Sequence, residues 1–199
     1  MHMMKLTAAA ALAVSLIGSS AQAETLKFAF QGTLNQLDPY SLNETFTLSS
    51  LGNTYEGLTR RGPDLEIEPA LAESWEIVDD NRWRFHLRKG VKFHNGNDFT
   101  ADDVIFSADR VRSEGSDLTT RINAQVKVEK VDDYTVDFVL PGPNPILTYE
   151  WDTWYIMDKE WTEANDAVKV TSASDTTPNY ASLHANGTGP YKIMSHEPG

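Results

Sequence analysis

The sequence predicts an α/β fold, on three observations. Two stretches, 71–88 and 126–140, alternate apolar with polar residues on either side of an acidic turn, the pattern of antiparallel hairpins with one buried face. Between them, residues 100–111 combine a capped start with apolar positions at helical spacing. On both flanks, short apolar runs are cut by Gly and Pro into further strands and helices.

The first residues are expected to lie outside the fold. Lys5 precedes the apolar run Leu6–Ile17, and Ala21-Gln22-Ala23 is a small-x-small cleavage site, so 1–23 reads as a secretory signal peptide. That run falls short of the roughly 20 apolar residues a membrane span needs. Thr25–Phe30 predicts a short strand with Leu26, Phe28 and Phe30 on one face. Asp38 precedes Pro39 and is pushed out of the helical region. A helix beginning at Asn43 or Thr45 is predicted to run to Leu58, because Phe46, Leu51, Tyr55 and Leu58 recur at roughly helical spacing. Asp64–Glu68 reads as an acidic connector with room for a short strand.

In the first hairpin Trp75 and Ile77 alternate with polar residues, as do Trp83, Phe85 and Leu87, and Asp79-Asp80-Asn81 makes the reversal. Lys89-Gly90 breaks the second strand, Val91 and Phe93 predict a third short one, and Asn95-Gly96 ends it. Thr100 is the expected N-cap of the helix, Asp103 its capping-box partner, and Phe99 with Val104 a hydrophobic staple. Val104, Ala108 and Val111 then form a buried face. The second hairpin sets Val126, Val128 and Val131 against Tyr134, Val136, Phe138 and Leu140 across Asp132-Asp133. The run Pro141-Gly142-Pro143-Asn144-Pro145 predicts a domain crossing. Beyond it lie Tyr149, Trp151, Trp154 and Tyr155, a short helix over Lys159–Ala167, a Ser/Thr-rich loop over Thr171–Pro178 and a strand start at Tyr191–Ile193. With a strand just begun where the chain stops, an interrupted fold is expected.

Composition narrows the function classes. With 40% hydrophobic residues, the 199-residue chain has ordinary globular content. Its net charge of −12 disfavours nucleic acid and anionic membrane as partners, since both require a basic face. It has no Cys, which excludes disulfides, thiolate nucleophiles and thiolate metal sites. A lipoprotein anchor on a cleavage-site cysteine is excluded for the same reason.

Catalytic signals are few. Adjacent carboxylates occur at Asp79-Asp80, Asp102-Asp103 and Asp132-Asp133, but each pair sits at a turn or a helix start, where backbone geometry favours it. A secreted hydrolase built on such a pair is the alternative function. His86 and His94 match no zinc spacing, and His184 and His196 are isolated. No serine sits in G-x-S-x-G, and Gly187-Thr188-Gly189 is too short for a phosphate loop. Two segments remain as candidate binding surfaces. Tyr40–Phe46 lies at a strand-to-helix junction, where α/β proteins commonly place ligands. Trp151–Tyr155 is aromatic enough to suit a cleft between domains, although such clusters also build cores.

Taken together, several motifs resemble the extracytoplasmic solute-binding proteins of family 5, which serve peptide and nickel ABC importers. LDPY at 37–40, YEGL at 55–58, LAESWEI at 71–77, WRFHLRKGVKFHNG at 83–96, FTADDVIFSADRV at 99–111, DDYTVDFVL at 132–140 and GTGPYKI at 187–193 follow the family's order. The resemblance implies a periplasmic binding protein type II-like fold, two lobes plus an extra α+β domain, truncated here before the second lobe. It implies an incomplete, discontinuous first lobe over 24–55 and 150–199, with the extra domain over 56–149 holding both hairpins and the capped helix. The implied function is a periplasmic receptor, not an enzyme and without cofactor or metal, that captures a small solute and delivers it to an ABC permease in the inner membrane. Di- or oligopeptides are the expected solute; nickel complexes, opines and sugars are alternatives within the family. A monomer that does not insert into the membrane is expected. By the same resemblance, the solute meets Tyr40, Asn43, Thr45 and Phe46 after the Asp-Pro pair, Arg121 before the second hairpin, and Trp154 after the extra domain.

Overall fold

A computed structural model describes residues 25–197, so the signal peptide expected over 1–23 lies outside the described residues. The chain divides into two compact units, the second beginning at Gly32. In the described part of the first, the strand expected over Thr25–Phe30 is absent: the segment enters neither sheet, and Leu26, Phe28 and Phe30 are exposed. Alternation marks a segment able to present an apolar face, but a strand exists only where a ladder partner runs beside it.

The second unit is built around a four-stranded antiparallel sheet. Its strands are β3 (Ala72–Asp79), β4 (Arg82–Leu87), β5 (Lys127–Asp132) and β6 (Thr135–Val139), in the order β3-β4-β6-β5. Both predicted hairpins form, and β4 and β6 pair to join them. On β4 alternation does what the sequence pattern implies: Trp83, Phe85 and Leu87 are buried while Arg82, Arg84 and His86 stay half-exposed. On the outer strands it does not, since Ile77 of β3 and Val131 of β5 are exposed. A second, two-stranded sheet pairs β1 (Thr59–Arg61) with β2 (Ile67–Pro69), the latter the short strand in the acidic connector.

Helix α2 (Ala101–Val111) lies against β5, β6 and α4 (Lys159–Ala164). Its capping box is complete: Thr100 Oγ1 accepts from the Asp102 amide, and Asp103 Oδ2 accepts from the Thr100 amide at 2.9 Å. Phe99, Val104, Ala108 and Val111 are all fully buried. Three short helices complete the set: α1 (Thr45–Leu51), α3 (Leu147–Glu150) and α5 (Tyr180–Leu183). Among the described residues no helix is long and apolar enough to cross a membrane.

Several expectations about element ends are corrected. Helix α1 starts at Thr45, with Glu44 as its cap, but stops at Leu51 rather than Leu58. The amides of Thr54 and Tyr55 both turn back to the Leu51 carbonyl, and Gly57 forms a bridge with Tyr155. Tyr55 and Leu58 are buried as the spacing implied, but through that tertiary bridge rather than through a helix. The third short strand at Val91–Phe93 reduces to one bridge, Lys92 to Asp98, because the backbone reverses at Gly90 and Gly96, both with positive φ. The helix over Lys159–Ala167 ends at Ala164, before Asp166 at positive φ. At Tyr191–Ile193 no strand forms. Gly189 and Tyr191 donate to the Thr54 and Asn53 carbonyls, but Pro190 between them has no amide to extend a ladder. Gly187 serves this approach: a Cβ there would stand 2.0 Å from the Thr54 carbonyl oxygen.

The aromatic run after the proline-rich segment is core. Phe138 meets Trp151 edge-on with ring centroids 4.6 Å apart, and also touches Phe85 and Trp154. Trp151, Trp154 and Tyr155 are buried, and Tyr149 alone of the four is exposed.

Candidate functional site

The segment 38–46 is built on one buried carboxylate. Asp38, kept extended by Pro39, accepts from its own chain at the Tyr40 amide (3.0 Å) and from both arms of Arg110 (2.9 and 2.5 Å). Neither side chain of this pair is more than 1% exposed. Tyr40 lies with its ring 5.3 Å from the Arg110 guanidinium and donates its hydroxyl to the Tyr155 carbonyl at 2.5 Å. Burial pushes the Tyr40 hydroxyl far up, so it acts as a neutral donor.

From this base the chain rises to the surface. The Tyr40 carbonyl accepts from the Asp117 amide, and the Asp117 carboxylate accepts from the Asn43 amide at 2.7 Å. The loop carrying Asp117 is held by Leu118 and Ile122, both fully buried. Between those anchors Arg121 stays half-buried, donating to the Glu150 carbonyl (3.1 Å) and, at the longer distance of 3.5 Å, to Asn43 Oδ1. Trp151 Nε1 donates to the Arg121 carbonyl at 2.7 Å, which fixes the loop against the aromatic core.

The result is a cavity of about 390 Å³ lined by Asn43, Thr120, Arg121 and Glu150. A second, of about 490 Å³, continues past Arg121, Glu150 and Trp151 to the proline-rich run. Among the described residues Arg121 makes no ion pair, so its charge faces this hollow with only neutral oxygens as partners.

Of the six residues singled out in the sequence, the structure brings Asn43 and Arg121 into one cavity. Thr45 is exposed and Phe46 half-buried on the first turn of α1. Tyr40 and Trp154 are fully buried beneath them. Thr120 lies in the loop segment 119–121 that the family resemblance points to, whereas Glu150 and the Asp38–Arg110 pair were not singled out in the sequence. A signal for the last existed: Asp103, Ser107 and Arg110 recur at i, i+4 and i+7, a polar stripe beside the apolar one. All three are buried. They bond the backbone of 157–168: Lys159 N to Asp103, Met157 N to Ser107, and Arg110 to the Ala167 and Val168 carbonyls.

A larger cavity, about 650 Å³, lies at the N-termini of α2 and α4 and is lined largely by acids. Four of these acids have structural partners. Asp102 and Asp133 share Lys130, Asp103 caps α2, and Asp158 Oδ2 receives the side-chain amides of Asn95, Asn97 and Asn186, each at 2.9 Å. The other carboxylate pairs serve turns: Asp79 accepts from the Asn81 amide and Asp132 from that of Tyr134. Among the described residues no three His, Cys, Asp or Glu side chains are grouped as a metal site.

Comparison with known proteins agrees with this architecture. Residues 66–199 match the bacterial extracellular solute-binding proteins, family 5 Middle. The chain is 31% identical to the dipeptide-binding protein of Escherichia coli (strain K12), over 94% of this chain and 38% of that protein. Among solved structures, the binding protein MoaA of A. tumefaciens R10 in complex with mannopinic acid superposes with a TM-score of 0.69 at 30% identity, covering 84% of this chain and 34% of that one. A dipeptide-binding protein from Pseudoalteromonas sp. SM9913, in complex with Met-Leu, gives 0.68 at 25% identity, covering 84% and 36%. The chain thus spans well under half the length of these relatives, each a binding protein by name. With the family's middle region matched over most of the chain and solved relatives superposing on more than four-fifths of it, this protein belongs to the bacterial extracellular solute-binding proteins of family 5 and has their periplasmic binding protein type II-like fold.

Proposed function

We propose that this chain is the solute-capturing part of a periplasmic receptor for an ABC importer, with di- or oligopeptides as the solute. The observation that carries the reading is the Asn43–Arg121 cavity: an amide side chain and a guanidinium that, among the described residues, has no ion-pair partner line one hollow beside an aromatic core, while the Glu150 carboxylate at its wall is taken by Asn144. A peptide offers the matching chemistry, a terminal carboxylate for the guanidinium and backbone amides for the Asn and Thr side chains. Two of the relatives described above bind dipeptides by name. In this reading 1–23 directs export, 24–55 and 150–199 belong to the first lobe, and 56–149 is the additional domain. Asn43, Thr45, Phe46 and Arg121 meet the solute, Tyr40 and Trp154 support them from behind, and the receptor works as a monomer that hands its solute to a membrane permease.

Thermal melts of the chain with di- and oligopeptides, nickel, opines and sugars test this. A ligand at 100 times its dissociation constant adds about 2.7 kcal/mol to the native state. A shift with peptides alone supports the reading; a shift with nickel, an opine or a sugar and none with peptides overturns the solute assignment. Replacing Arg121 by Met should abolish the peptide shift and leave the unliganded melt in place.

A further inference from the structure

We propose that Arg110 is a positioning residue for solute capture, which holds the Tyr40–Phe46 segment at the height of the cavity through Asp38 and touches no solute itself. The inference rests on the capture reading above. Arg110 sits in the last turn of α2, the side chain buried, and its donors run in two directions. On one side it binds the Ala167 and Val168 carbonyls and lies 3.0 Å from Met157 Sδ, which fixes the guanidinium to the framework. On the other it grips both oxygens of Asp38. A continuous series of hydrogen bonds then leads upward: Tyr40 amide to Asp38, Asp117 amide to the Tyr40 carbonyl, Asn43 amide to the Asp117 carboxylate. Asn43 reaches Arg121 at the end of that series.

Stability alone does not account for the arrangement. Well-packed neutral residues of similar volume often hold a core as well as a buried ion pair does, whereas a planar two-point fork also fixes orientation. The segment it orients is short: Tyr40 and Ser41 are buried at its base beside Asp38, and from Asn43 to Thr45 it is exposed, so the base sets the height of the exposed part.

The test is a double variant, Asp38→Asn with Arg110→Met, which removes both charges and keeps an acceptor for the Tyr40 amide. Three quantities are read on the full chain: the melting temperature, amide hydrogen exchange by segment, and the dissociation constant for the dipeptide Met-Leu. The expected result is a cooperative melt, exchange across 40–46 faster by about tenfold while β4 and β6 are unchanged, and Met-Leu affinity lower by about tenfold. A folded double variant with wild-type exchange at 40–46, or with wild-type affinity, overturns the proposal. If the wild type itself fails to bind Met-Leu, the peptide reading falls, and the exchange profile still decides whether Arg110 places the segment. Should the double variant not fold, Arg110→Lys keeps the charge and loses the fork. That variant should fold and show faster exchange confined to 40–46; unchanged exchange there refutes the role.

Discussion

Two bidentate arginine–aspartate forks, one side-on through Nε and Nη2 and one end-on through both Nη atoms, serve this molecule in different ways. On the sheet, Arg84 grips Asp137 at 2.7 and 2.8 Å, and under α2 Arg110 grips Asp38 at 2.9 and 2.5 Å. Arg84 and Asp137 face each other in the β4–β6 register, Arg84 is 31% exposed, and Arg82 binds the same carboxylate at 2.9 Å. Arg110 and Asp38 are 72 positions apart and dry, and among the described residues no second cation pairs with Asp38. The same contact is therefore a redundant, water-screened cross-strand pair in one place and a single structural tie in the other. Arg84, followed by Arg82, holds the Asp137 carboxyl below the usual carboxylate range.

The comparison breaks most directly at Arg110. Arg110→Met alone leaves Asp38 buried and uncompensated, at a cost of about 3–5 kcal/mol. Urea or thermal melts should show it, and a loss no larger than that of Arg84→Met would erase the distinction.

Asp103 sharpens the contrast as a buried carboxylate that has amide donors but, among the described residues, no ion pair. Burial, aided by Asp158 beside it, pushes its carboxyl up to about 6 from 3.8. The folded state therefore binds this proton more tightly than the unfolded chain. The stabilisation is fully present below 3.8 and lost as pH rises through about 6, at most about 3 kcal/mol. Wild type should gain stability relative to Asp103→Asn on acidification from pH 7 to 4; a constant difference between their melting temperatures across that range would contradict it. Asp137 has the opposite sign: its contribution is present above the unfolded carboxylate value and is lost in stronger acid.

Smaller effects complete the series. Thr100→Ala removes the side-chain cap at the open end of α2 and should cost about 1 kcal/mol in a denaturant melt. Arg84→Met should cost less than that, because Arg82 remains on Asp137, and high salt should close its gap to wild type. The Arg110→Met deficit, in a dry interior, should persist at the same salt.

Legibility in the sequence followed the distance over which each feature is specified. The hairpins, the capped helix and the acidic turns were readable because their signals lie within a few residues of where they act. Thr100 and Asp103 predicted a capping box that forms as expected. Helix α1 was read too long because Tyr55 and Leu58 are buried at helical spacing by the Gly57–Tyr155 bridge, a contact no local pattern announces. Of the site, Asn43 and Arg121 were reached through family motifs, but their meeting depends on Asp117 and on the burial of Leu118 and Ile122. The polar stripe of α2 was visible as spacing, yet nothing near it said that its partners would be the backbone of 157–168.

By itself, then, the sequence determined which segments could be strand, turn or helix, where α2 begins, and which faces are apolar, since alternation, capping and turn chemistry act over a turn or a pleat. Only the tertiary structure decided where elements stop, which acids are caps and which are ties, and how Asp38, Arg110, Asn43 and Arg121 come together. Such pairings are set by how whole elements pack, because a buried charge is tolerated only where the completed fold places its partner.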